Sequence, residues 1–225
     1  MIKTVLLDLD DTILDVHKAE SIAVAKAFRG VGVEPTEALI ARYSQVNKMH
    51  WEMLERGELT REQVLVDRFA YLYNELGLDA DAEATMGAYE DFLCIGHYFV
   101  PGGREILDYL APKYDLYLAS NGTARVQDSR LESAGIGRYF KDLFISERMG
   151  AEKPTRRFFD LAAARIGGYD PDQTIIIGDS LTSDMKGGLN AGIHTCWFNP
   201  KHHPRRPGIE PEFEIHCWEE IKNIL

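Results

Sequence analysis

Short runs of aliphatic and β-branched residues recur along this chain, and each ends in a polar cluster. Thr4-Val5-Leu6-Leu7 runs into Asp8-Leu9-Asp10-Asp11-Thr12, and Leu116-Tyr117-Leu118-Ala119 into Ser120-Asn121-Gly122. Thr174-Ile175-Ile176-Ile177 runs into Gly178-Asp179-Ser180 with Asp184 soon after, and Leu143-Phe144-Ile145 leads through Ser146-Glu147 to Lys153-Pro154. Near-continuous apolar runs without polar alternation predict strands covered on both faces, the pattern of a parallel sheet. From about His17 to Gly96 the period becomes helical. Ala19, Ile22, Ala23 and Ala27 share one stripe, and Leu39, Tyr43, Val46 and Met53 another after Thr36. Thr60-Arg61-Glu62-Gln63 has the form of a capping box opening a third helix that stops before Gly77. A fourth spans about Asp81 to Leu93. Four helices with no strand between them interrupt a β-α alternation that resumes after Pro101-Gly102-Gly103. Helices are expected over Glu105–Leu110, Ala124–Ala134, Arg156–Ile166 and Asp184–Ala191, with a last strand at Ile193–Trp197. The expected fold is therefore α/β, a doubly wound parallel sheet formed by residues 1–15 and 99–225. Residues 16–98 form an inserted helical domain.

Asp8 and Asp10 stand two residues apart at a strand end, so both carboxylates face one side at the carboxyl edge of the sheet. Open α/β sheets bind ligands at that edge. Like charges so close require a cation, a shared proton, or both.

Composition narrows the partners. A net charge of −11 over 225 residues argues against a nucleic-acid backbone. The three cysteines, Cys94, Cys196 and Cys217, have no metal-ligand spacing. They predict reduced thiols in a cytoplasmic protein. No apolar stretch is long enough for a bilayer and no signal-peptide pattern opens the chain. His202-His203, among Lys201, Arg205 and Arg206, lies in a proline-rich stretch that reads as a surface loop rather than a metal site.

The four polar clusters, in this order and over essentially the whole chain, resemble the signature motifs of the haloacid dehalogenase (HAD) superfamily, most of whose members are phosphatases. The resemblance implies a Rossmann-like core with a helical cap of the C1 type inserted after the first strand. It implies Asp8 as the nucleophile that forms an aspartyl-phosphate. Asp10 becomes the general acid and base, a residue that the superfamily's dehalogenases lack. Mg²⁺ would be held by Asp8, Asp179 and the main-chain carbonyl of Asp10, with Asp184 supporting or ligating. Ser120 and the main-chain N–H groups of Asn121 and Gly122 would bind the phosphoryl group, and Lys153 would balance charge there. Thr12 would brace the loop.

The segments Val46–Trp51 and Thr195–Pro200 are similar to those of bacterial noncanonical pyrimidine 5′-nucleotidases, which act on UMP, dUMP and dTMP. That similarity implies a small pyrimidine nucleotide as substrate, with Asn47 and Trp51, on one helical face with Leu54, as candidates for reading the base. The protein is expected to be a monomer or weak dimer. A phosphatase of sugar phosphates or phosphoglycolate fits the same core. A phosphomutase does too, although such enzymes commonly carry Gly where this chain has Asp11. A non-enzymatic binding module fits least.

Overall fold

Six parallel strands form one sheet in the order β3-β2-β1-β4-β5-β6. They are β1 (Thr4–Leu7), β2 (Asp115–Ser120), β3 (Asp142–Ile145), β4 (Thr174–Gly178), β5 (His194–Phe198) and β6 (Phe213–Ile215). The computed structural model describes all 225 residues, which divide into two compact units, residues 1–15 with 98–225, and residues 16–97.

Sheet burial explains the unalternated strands. Val5, Leu7, Leu116, Leu118, Ile175 and Ile177 pack into one apolar cluster. Their neighbours Leu6, Tyr117, Ala119 and Ile176 pack into another on the opposite face. Successive side chains alternate faces, so a strand with two dry faces must be apolar throughout. At ~1.5–3 kcal/mol per buried aliphatic side chain, these residues supply much of the driving force. Helix α9 (Lys186–Ala191) lies directly on the sheet. A Cβ at its Gly188 would stand 2.6 Å from the methyls of Ile176 and Thr195.

The other unit contains α1 (Val16–Gly30), α2 (Glu37–Glu55), α3 (Arg61–Leu76) and α4 (Ala82–Leu93). Thr60 and Gln63 form the expected capping box, and Gly77 ends α3 at φ 64°. Thr36 and Asp81 cap α2 and α4. The core is aromatic, with Tyr43 and Phe69 stacked at 5.0 Å between centroids and Phe28 edge-on to both. Leu54 takes the buried place on α2, whereas Met53 is half-buried.

Three elements differ from the sequence expectation. Strand β6 follows the proline-rich loop and pairs with β5, so the strand ending in Trp197-Phe198 is not the last. The helix expected from Asp184 begins instead as a wide π turn over Leu181–Met185, in which the Met185 N–H bonds the Ser180 carbonyl at 3.1 Å. Helix α8 (Arg156–Ala163) ends before Ile166. The remaining helices of this unit are α5 (Gly103–Leu110), α6 (Ala124–Ala134) and the short α7 (Ser146–Met149).

Candidate active site

Strands β1, β2 and β4 are neighbours, so the polar clusters at their carboxyl ends converge where the strand order reverses. The chain turns tightly after Asp8. The N–H groups of Ile13 and Leu14 both bond the Leu9 carbonyl at 2.9 Å, and Asp11 adopts a left-handed φ of 55°. Asp tolerates that region better than most side chains. Asp11 thus fills a position where Gly would also fit, and its presence does not separate a phosphatase from a phosphomutase.

Asp8, Asp179 and Asp184 each bring a carboxylate oxygen within 4.8 Å of the others. The Lys153 ammonium donates to Asp8 at 2.8 Å, to Asp184 at 2.6 Å and to the Ala119 carbonyl at 2.6 Å, which uses all three of its hydrogens. Burial opposes its charge, but Asp184 and Asp8 outweigh that and hold the lysine above its usual range. Three carboxylates face one ammonium, leaving two negative charges in excess. The consequence falls on the acids. Burial, with Asp184 and Asp10 nearby, pushes Asp8 up to about 7 despite Lys153. Burial and the charges of Asp11, Asp8 and Asp184 raise Asp179 well above the usual carboxyl range. A divalent cation would supply the missing charge, and oxygen donors of this kind suit Mg²⁺.

The wide turn delivers the third carboxylate. Asp184 is 1% exposed and accepts the Ser180 N–H at 3.1 Å. Gly178 makes room, since a Cβ there would lie 2.2 Å from the Asp184 oxygen. Thr12 braces the loop as expected, donating to Asp8 at 3.2 Å and accepting the Asp179 N–H at 3.1 Å. Trp197, read from the sequence as core packing, also donates its indole N–H to the Asp179 carbonyl at 2.7 Å.

Asp10 has partners of its own. One of its oxygens accepts from Gln127 at 2.6 Å and the other from Arg130. Neither partner was singled out from the sequence. The available signal is that Gln127 and Arg130 share a helical stripe with Leu131 and Ala134, all buried.

Ser120 is 1% exposed, and its hydroxyl oxygen accepts from the Gly122 N–H at 3.1 Å and from Gln127 at 2.9 Å. With both lone pairs engaged, the hydroxyl has only its proton to give, the polarity that a phosphoryl oxygen requires. The Gly122 N–H is directed at Ser120. The Asn121 side chain bonds the Lys153 main chain on both sides at 2.9 Å, and the cis peptide to Pro154 follows.

Asn47 and Trp51 belong to the helical unit. Asn47 donates to the buried Glu20 and accepts from Arg68 at 2.7 Å. Burial raises Glu20 above the usual carboxyl range against the pull of Ser44, His17, Arg68 and Asn47. The Trp51 ring faces the Arg61 guanidinium at 5.7 Å. In the first unit, the ring of His202, in the loop beyond β5, lies 4.1 Å from that of His216, tilted by 31°.

A parallel sheet with this acidic edge defines a class of hydrolases, and sequence comparison agrees. The model of the haloacid dehalogenase-like hydrolases matches residues 2–192, and the chain belongs to that family. Over 223 residues it is 39% identical to the HAD-hydrolase YfnB of Bacillus subtilis, covering 99% of this chain and 95% of that one. The crystal structure of YfnB bound to magnesium superposes with a TM-score of 0.95, covering 100% of this chain and 98% of that chain. Pyrimidine 5′-nucleotidase PynA of Streptococcus pneumoniae is 34% identical over 99% of this chain and 97% of its own. Pyrimidine 5′-nucleotidase YjjG of Escherichia coli is 29% identical over 98% and 96%. No helix is long and apolar enough to cross a membrane.

Proposed function

We propose that this protein is a Mg²⁺-dependent phosphomonoesterase acting through an aspartyl-phosphate on Asp8, with pyrimidine nucleoside 5′-monophosphates such as UMP, dUMP and dTMP as substrates. The cluster of buried Asp8, Asp184 and Lys153 with half-buried Asp179, two charges short of neutral when all three acids are ionised, is its main support. Asp8, Asp179 and Asp184, with the Asp10 carbonyl, would hold the cation, which when bound offsets the negative charge of cluster and phosphate. The Asp8 carboxylate attacks phosphorus as the ester P–O bond breaks, and Asp10 gives its proton to the leaving oxygen. Water then attacks the same phosphorus. Its proton passes to Asp10 and the bond to Asp8 breaks. Ser120 donates to a phosphoryl oxygen throughout, and Lys153 keeps Asp8 oriented.

The pyrimidine assignment is supported by full-length relatedness to PynA and YjjG. Selection of the leaving group falls to the helical unit, residues 16–97, as the cap. Trp51 is the stronger candidate for base contact, because Glu20 and Arg68 fix the Asn47 amide.

Phosphate release from UMP, dUMP, dTMP, AMP, glucose 6-phosphate and phosphoglycolate, with Mg²⁺ and after EDTA, tests both levels. Activity should vanish on chelation, return with Mg²⁺ and favour the three pyrimidine nucleotides. Undiminished turnover after chelation overturns the metal assignment. Preference for a sugar phosphate or phosphoglycolate overturns the substrate assignment alone.

A further inference from the structure

We infer that Gln127 and Arg130 are positioning residues that fix the Asp10 carboxylate against the phosphate-binding hydroxyl of Ser120. The inference rests on the reading of Asp10 as the acid and base of the reaction.

Four contacts close a single network. The Gln127 amide nitrogen gives one hydrogen to Asp10 at 2.6 Å and the other to Ser120 at 2.9 Å. Arg130 donates to the second Asp10 oxygen, and also to the Gln127 carbonyl oxygen at 3.1 Å. The amide orientation follows, because flipping Gln127 would set its oxygen against a carboxylate and lose both donations. Each Asp10 oxygen is thus held by a different donor, which removes rotation about the carboxylate axis. One amide spans the group that moves the proton and the group that binds the phosphoryl oxygen.

The scaffold around the network is tight. Gln127 and Arg130 are each 1% exposed on α6, three residues apart on one face. The first N–H of α6 bonds the Glu147 carboxylate at 2.6 Å, which fixes the start of the helix. A Cβ at Gly122 would lie 2.2 Å from the Gln127 nitrogen, so the loop carrying Ser120 packs directly on this amide. A guanidinium is almost never fully buried unless it is paired. Here the counter-charge is the side chain two residues from the nucleophile. Catalytic groups held to within a fraction of an ångström account for large parts of a rate enhancement.

Proton transfer to the leaving oxygen matters most for poor leaving groups, which separates positioning from packing. The experiment follows phosphoenzyme formation in rapid quench with phenyl phosphate and 4-nitrophenyl phosphate. These two esters are similar in size, and phenolate leaves much less readily. Wild type is compared with Asp10→Asn, Gln127→Leu, Arg130→Met and Arg130→Lys, and thermal midpoints are recorded alongside. Gln127→Leu and Arg130→Met should lose about 10- to 100-fold on phenyl phosphate, within the range of general acid catalysis, and far less on 4-nitrophenyl phosphate. Arg130→Lys should recover part of the loss. Equal losses on both esters, or none, in these variants while Asp10→Asn discriminates strongly would overturn the inference and leave the acid–base reading standing. Asp10→Asn showing no discrimination would overturn that reading and the inference with it.

Discussion

Gly178→Ala is the sharpest test of how the acidic cluster is built. The added methyl would stand 2.2 Å from the Asp184 oxygen, 2.3 Å from its carboxyl carbon and 2.9 Å from its Cβ. Real contacts lie beyond 3 Å, so the carboxylate must retreat by about 1 Å, the scale on which a tightly packed interior registers strain. It has little freedom to do so, because Lys153 at 2.6 Å and the Ser180 N–H at 3.1 Å hold it. Overpacking of this size costs ~1–3 kcal/mol, and losing a hydrogen bond to a charged group ~1.5–3 kcal/mol. Together they predict a loss of about 2.5–6 kcal/mol, a large share of an ordinary folding stability of ~5–15 kcal/mol. Urea unfolding followed by the fluorescence of the buried Trp197 and Trp218 measures it.

Asp184→Ala supplies the decisive background, since it removes the two nearest colliding atoms, the carboxyl oxygen and carbon, and leaves only the Cβ at 2.9 Å. There the cost of Gly178→Ala should fall to about 1 kcal/mol, the low end of overpacking, giving a coupling energy of a few kcal/mol between two contacting sites. Gly188→Ala is the control, because its methyl meets Ile176 and Thr195 rather than Asp184. Its cost of ~1–3 kcal/mol should be the same in both backgrounds. An undiminished Gly178→Ala penalty in the Asp184→Ala protein would falsify the assignment of the clash.

Two further outcomes follow from the charges and burial already described. Asp8 binds its proton up to about 7 in the folded chain against an ordinary 3.8, so the folded state holds a proton that the unfolded chain releases. That stabilisation is full below the unfolded value and is lost as pH rises to about 7, at up to ~1.4 kcal/mol per pH unit. Without metal, the stability advantage of Asp8→Asn over wild type should therefore widen across this window and level off above it, and a pH-independent difference would refute the account. Burial pushes the Cys196 thiol up to about 12, whereas Cys217 is exposed. At pH 8 the Cys196 thiolate fraction is on the order of 10⁻⁴, so Ellman's reagent should label Cys217 in the native protein and reach Cys196 only after unfolding. Rapid native labelling of Cys196 would contradict its burial.

The sequence was most legible where one local signal decides one local structure. Apolar runs at Val5, Leu116 and Ile175 became central strands, and Thr60 with Gln63 became a capping box. Motif order also placed Asp8, Ser120 and Asp179 at the ends of the neighbouring strands β1, β2 and β4, with Lys153 reaching Asp8 from the loop after α7. What stayed hidden depends on distant partners. Arg130 looks like an ordinary polar helix residue until Asp10, 120 positions away, is seen to hold its guanidinium. Glu20, Asn47 and Arg68 sit on three different helices, and no spacing in the chain announces their buried network. Strand β6 has three residues after a proline-rich loop, too few for a periodic signal. In the wide turn at Leu181–Met185 the Met185 N–H bonds five residues back instead of four, a change that helical periodicity cannot register.

Two carboxylates two residues apart posed the first physical problem of this chain, and their surroundings resolve it without equal treatment. Asp8 joins buried Asp184 and Lys153 and half-buried Asp179 in a cluster left with excess negative charge, an arrangement that calls for a cation. Asp10 receives an arginine of its own, 1% exposed, and an amide shared with Ser120. The separation of roles in such pairs comes from environment rather than residue type. Here the difference traces to where two elements deliver their side chains. The wide turn after β4 brings a third acid to Asp8, and α6 brings a cation and an amide to Asp10. Both devices lie within residues 1–15 and 98–225, so the different surroundings of the two carboxylates are set by this unit alone. Trp51→Ala should accordingly change the order of kcat/KM among UMP, AMP and glucose 6-phosphate, and leave unchanged the ratio between phenyl phosphate and 4-nitrophenyl phosphate that Asp10→Asn is expected to alter.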